Sequence, residues 1–155
     1  MENWKTFLEK EEKKTNIYFS GKCTRCDPDT VRSDYDFSTW EATNGELIIK
    51  PHTDNKKYEE YEGKLNKIIG FSAGATAAIR LKKFHLNATL VLIDPWLPRL
   101  PRDYIIPPDV EYYGTSCFIA RTPNKERLQR SKKECKPKET KFDHHMKYFK
   151  DYFGL

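Results

Sequence analysis

The stretch KLNKIIGFSAGATAAIRLKKF, Lys64 to Phe84, decides the fold. An apolar, β-prone run over 66–71 enters a pair of glycines, a serine stands between them, and a helix of small residues over 73–84 leaves. Gly70-Phe71-Ser72-Ala73-Gly74 fits the pattern G-x-S-x-G. A strand that turns this sharply into a helix crowds its own backbone. A side chain at either glycine would collide with the neighbouring strand or helix, and the serine is left strained and exposed at the strand end. The competing use of such a turn is a tightly packed helix start or a phosphate cradle.

Working outward, the same alternation recurs. TNIYFSG (15–21) reads as a short buried strand, and a polar, irregular stretch follows to Asn44. GELIIKP (45–51) is a second strand closed by Pro51. KYEEYEGKL (57–65) places Tyr58, Tyr61 and Leu65 on one helical face. After the 66–71 strand and its helix, NATLVLIDP (87–95) is the fourth strand and VEYYGTSCFIA (110–120) a fifth. Helices are predicted over 125–133 and 144–153, and an amphipathic one at the N-terminus, where Trp4, Phe7 and Leu8 share a face. Strands alternating with helices predict an α/β fold: a three-layer sandwich with a mostly parallel sheet of about five strands and helices on both faces. Parallel strands covered on both faces are apolar nearly throughout, as TLVLI is. Right-handed crossovers favour the strand order 2-1-3-4-5, with a ligand site at the carboxyl ends, near the switch between the first and third strands.

The 155 residues suffice for one domain with its own core. No apolar run is long enough to span a membrane, and MENWKTFLEKEEKK has no signal-peptide core. Four cysteines, at 23, 26, 117 and 135, are therefore expected as reduced thiols in a cytoplasmic setting. Cys23-x-x-Cys26 is half of a zinc site, but Cys117 and Cys135 do not form a second close pair, so neither metal nor redox chemistry is the favoured reading. The net charge of +5 is uneven: residues 121–141 hold nine Lys/Arg against three Glu. Such a segment attracts phosphates or anionic head groups when it is not simply a solvated surface. No aromatic side chains interleave it, so DNA is not an expected partner.

A resemblance joins these elements. GFSAG, preceded by a strand and followed by a helix, resembles the nucleophile elbow of the α/β-hydrolase family, and the outline is similar to its short single-domain serine esterases. IYFSG resembles the strand whose following loop supplies an oxyanion-hole amide. LVLIDPW resembles the strand after the nucleophile helix, and KFDHHMKYFKDYF the histidine loop with its final helix. The resemblance implies a hydrolase that cleaves an ester or thioester through an acyl-enzyme on Ser72, without metal or organic cofactor. It implies His144 as base, with His145 as its close alternative, and the backbone N–H groups of Lys22 and Ala73 as the oxyanion hole. His85 ends the nucleophile helix roughly 18 Å from Ser72, and His52 follows the second strand, beyond the first in the predicted order. The chain departs from the family after the fifth strand, where ARTPNKER carries Glu126 and no Asp. Asp94, after the fourth strand, is the favoured acid and Glu126 the alternative. Residues 95–109, with five prolines, are a candidate lid; Trp96 and Leu97, with Phe71, would line the acyl pocket.

The rival from another class is a non-enzymatic interaction protein that uses the α/β scaffold and the 121–141 segment to bind a protein, nucleic-acid or membrane partner. Charge reversal at Lys132 and Lys133 is expected to leave stability and turnover of a small neutral ester nearly unchanged. The same variant should be compared on an anionic acyl-CoA at low and high salt, since charge contacts are screened over about 8–10 Å. A loss confined to the anionic substrate would assign the segment to substrate binding.

Overall fold

The structure is a computed structural model that describes residues 14–96, 109–114 and 142–155; the side chains of 142–145 lie outside that description. Its centre is a parallel five-stranded sheet in the order β2-β1-β3-β4-β5. The strands are β1 (Thr15–Phe19), β2 (Glu46–Lys50), β3 (Leu65–Phe71), β4 (Thr89–Ile93) and β5 (Glu111–Tyr113). The predicted α/β class and strand order are those observed. Among the described residues no helix is long and apolar enough to cross a membrane.

Alternation along the strands sorts two cores. Ile17, Phe19, Ile68, Leu90 and Leu92 face helix α3 (Gly74–Lys82), which buries Ala75, Ala78, Ile79 and Leu81 against them. Tyr18, Leu47, Ile69, Phe71, Val91 and Ile93 point the other way, onto α1 (Pro28–Asp34), α2 (Ser38–Asn44) and α4 (Phe142–Phe153). This is the period-2 signature of a sheet covered on both faces. The β1-to-β2 connection carries α1 and α2 on one face, and the β3-to-β4 connection carries α3 on the other. With right-handed crossovers the sheet therefore grows in both directions from the β1/β3 pair.

The α4 face is aromatic. Phe149, 1% exposed, has its ring centre 5.1 Å from Tyr35, 5.4 Å from Phe71 and 5.8 Å from Tyr18. Phe153 packs edge-on against Phe37 at 5.0 Å and Trp40 at 5.3 Å. Such tilted and T-shaped pairs are the favoured arrangements of aromatic rings.

Two expectations need correction. The stretch to Asn44, read as irregular, contains α1 and α2. Asp27 starts α1 by accepting from the Thr30 N–H at 3.0 Å, with Pro28 at the first helical position. The two short helices are then clamped: Arg32 pairs with Glu41 at 2.7 Å and donates to the Leu47 carbonyl, and Glu41 accepts the Leu47 N–H at 3.0 Å. The expected helix over 57–65 is a single 3-10 turn, Glu59–Tyr61, entered through a left-handed Tyr58 and followed by Gly63 at φ +74°. Tyr58 and Leu65 do reach the core, but from either side of that turn rather than from one helix.

Asn16, fully buried, ties the amino ends of three strands. Its Nδ2 donates to the carbonyls of Asn44 (3.0 Å) and Glu46 (3.1 Å). Its Oδ1 accepts from the Lys67 N–H (3.1 Å) and the Asn66 amide (3.2 Å). Both donors and both lone pairs are used. The β1/β3 register skips at this point, from Thr15 opposite Leu65 to Asn16 opposite Lys67, and the skipped residue is Asn66. Asn16→Ala is expected to cost about 2–4 kcal/mol, because it leaves buried backbone groups unpaired. Asn66→Ala, which removes one partly exposed donor, should cost under about 1 kcal/mol. Urea unfolding of the two variants checks the ranking; equal costs would refute it.

Candidate active site

The site is built from the ends of β1, β3 and β4. Phe71 ends β3 and Gly74 opens α3, leaving Ser72 and Ala73 as the turn. Ser72 has φ 53°, in the left-handed region that residues with a side chain enter only at a cost. Three hydrogen bonds hold it there. Its N–H donates to the Ile93 carbonyl at 3.0 Å, and its own carbonyl accepts from Ala75 at 3.2 Å and from Trp96 at 2.9 Å. The elbow is thus fastened to the end of β4 and to the segment beyond it.

Both glycines of the motif are required by contact. A Cβ on Gly70 would stand 2.6 Å from the Ala75 Cα, and one on Gly74 would stand 2.2 Å from the Phe19 carbonyl oxygen. These obstacles are backbone, which cannot swing aside. Helix α3 therefore lies directly on β3 and on the exit of β1. The loop after β1 passes the serine as well: a Cβ on Gly21 would be 3.3 Å from the Ser72 Cβ. This is the junction between β1 and β3 where the sheet changes its winding direction, the place where open α/β sheets bind their ligands.

A cavity of about 370 Å³ opens beside the turn, and Lys22, Ala73 and Trp96 are brought together in its wall. His52 and Arg80 line it too. The strand order puts His52 beyond β1 from the serine, yet the segment after β2 reaches the carboxyl-end surface that all parallel strands share, which that same order implies. His85, 5% exposed, is structural: its Nε2 lies 2.7 Å from the Lys57 carbonyl, and it takes no part in this surface.

Asp94 follows β4 with φ 38° and is 3% exposed. Its N–H donates to the Tyr113 carbonyl at 2.6 Å, and its Oδ1 lies against Gly114, 2.7 Å from where a Cβ would stand there. The carboxylate is thus turned toward the end of β5. Two residues with a side chain, Ser72 and Asp94, hold left-handed backbone at the ends of adjacent strands.

Phe71 and Trp96 open onto different cavities. Phe71 is 2% exposed and borders a larger one, of about 710 Å³, on the α4 face, together with Met146, Phe149, Tyr35, Cys23 and Cys26. Met146 and Phe71 border the same cavity, which places the start of α4 on the side of the sheet that Phe71 faces. The backbone of His144 and His145 belongs to that first turn, within about 3 Å of rise from Met146. Their side chains lie outside the described residues, as do Leu97, Glu126, Cys117, Cys135, most of the candidate lid and the 121–141 segment.

The expectation of reduced thiols is corrected at one pair: Cys23 and Cys26 form a disulfide, with Cα atoms 5.0 Å apart. Spacing allows it, since a C-x-x-C turn brings two Cα atoms into the 4.4–6.8 Å range usual for a bridge. Among the described residues, no group of three or more His, Cys, Asp or Glu is arranged to hold a metal ion.

No protein-family model, no curated protein and no solved structure matches the chain. What the site can do rests on its own geometry.

Proposed function

We propose that the chain is a serine hydrolase that cleaves an ester or thioester through an acyl-enzyme on Ser72. The observation that carries this reading is the left-handed backbone of Ser72 in a strand-turn-helix whose two glycines admit no Cβ. A hydroxyl held in that way at a sheet's switch point is presented to a ligand.

In the proposed reaction a base removes the Ser72 Oγ proton as the oxygen attacks the substrate carbonyl. The developing oxyanion sits at the start of α3, where no side chain caps the helix and the N–H groups of Ala73 and Lys22 are the assigned donors. The base returns its proton to the leaving alcohol or thiol, and water then releases the acyl group by the same steps in reverse. His144 is assigned as base, with His145 its alternative, because the start of α4 borders the cavity that Phe71 also lines. Asp94, turned toward β5, is assigned to orient it. A second reading takes His52 as base, because His52 shares a cavity wall with Ala73. The two readings differ in the acid as well. Three strand spacings, about 14 Å, separate β2 from β4, so a base at His52 requires an orienting group other than Asp94.

Labelling of Ser72 by a fluorophosphonate, read by mass spectrometry, is the direct test. Ser72→Ala should abolish labelling and hydrolysis of a short p-nitrophenyl ester. Ser72→Gly should do so too while leaving stability equal to wild type or up to about 1 kcal/mol higher, because glycine tolerates positive φ. Ester turnover that survives in Ser72→Ala would sink the assignment.

His144→Ala should reduce kcat about as far as loss of the serine, since members of such a set act as a unit. Asp94→Asn should reduce kcat by several orders of magnitude with little change in KM. If His52→Ala is the damaging change and both His144→Ala and Asp94→Asn are mild, the second reading replaces the first. If His145→Ala alone is damaging, the base moves by one residue.

A further inference from the structure

The Cys23–Cys26 pair stands apart from the Ser72 chemistry. It lies in the loop between β1 and α1 and borders the cavity of about 710 Å³, a volume usual for small-molecule sites. The two residues differ in access: Cys23 is half-buried and Cys26 is 7% exposed. The loop does not depend on the bridge for its shape. The Cys26 N–H donates to the Cys23 carbonyl at 3.2 Å. Arg25, between the cysteines, makes a two-pronged pair with Asp34 at 2.7 and 2.8 Å. Asp27, next in the chain, caps α1. A bridge whose flanks are held by other bonds opens and closes without unfolding.

We propose that Cys23 and Cys26 form a thiol–disulfide exchange site, with Cys23 the sulfur attacked by a small thiol that occupies the adjoining cavity. The incoming thiolate bonds to the Cys23 sulfur, and the electron pair of the Cys23–Cys26 bond leaves on Cys26, which takes a proton from solvent. A second thiolate attacks the mixed disulfide at the sulfur of the first thiol and releases Cys23 as a thiolate. Two small thiols are oxidised to one disulfide, and the pair is reduced to a dithiol. Access sets the direction of attack, because both cysteines border the cavity and Cys23 is the more exposed of the two.

The test uses the full chain and glutathione. The protein is equilibrated in buffers of graded glutathione to glutathione disulfide ratio, quenched in acid, alkylated and digested. Trypsin cuts after Lys22, Arg25 and Arg32, so the bridge joins the peptides 23–25 and 26–32 and is read apart from Cys117 and Cys135. The bridged species should give way smoothly to the two alkylated peptides while the circular dichroism spectrum stays unchanged. Separately, Cys26→Ser should trap glutathione on Cys23 at least about ten times faster than Cys23→Ser traps it on Cys26. A bridge that persists at the most reducing ratio, or that opens only with loss of the folded spectrum, overturns the proposal. Equal or reversed trapping rates overturn the assignment of Cys23.

Discussion

The close approach of α3 to the sheet is the constraint on which the rest depends. Gly74 lies against the Phe19 carbonyl and Gly70 against Ala75, so the helix starts in contact with both β1 and β3. Small residues continue the arrangement: Ala75 and Ala78 are fully buried, and Ile79 and Leu81 are buried farther along the helix. A helix this close leaves one way out of β3, a turn with Ser72 at positive φ. The same approach aligns the exit of β1 with the exit of β3, which is why Gly21 and Lys22 arrive beside the serine.

The two faces of the sheet hold this arrangement by different means. The α3 face is mostly aliphatic and tight. The opposite face is a stack of rings, with Phe149 touching Tyr18, Tyr35 and Phe71 across three different elements. Phe71 is the residue before Ser72, so the elbow is wedged between a helix that cannot come closer and an aromatic layer that fills the space behind it. Asn16 performs the matching task at the amino ends. There a single buried amide joins β1, β2 and β3 and sets the register from which their carboxyl ends emerge.

The loop after β1 consequently serves two regions. Gly21 and Lys22 face the serine turn, and Cys23 and Cys26 face the α4-side cavity. The bonds that shape the loop, Arg25 to Asp34 and Asp27 to Thr30, anchor it to α1.

Much of the fold was legible in the residues because it rests on short-range rules. Short apolar runs bounded by glycine, proline and polar residues marked the strands, and alternation with helices marked a parallel sheet. Right-handed crossover then implied the order observed. The glycine–serine–glycine spacing marked the elbow, since steric crowding in a strand-to-helix turn is a local property. The missed elements are those where a polar cap or a distant partner outweighed composition. An Asp-Pro start and the Arg32–Glu41 clamp made two helices out of a stretch that reads as irregular. A left-handed Tyr58 and Gly63 reduced an apparent helix to one turn. Tertiary structure alone decided which side chains share a cavity. His52 comes to Ala73 through the path of a loop, and Phe71 parts from Trp96 because Phe71 faces α4 from the end of β3 whereas Trp96 lies past the end of β4, in the wall of the other cavity. Local sequence determines what a segment can form; which segments meet depends on how helices and loops cover the sheet, and no spacing along the chain encodes that.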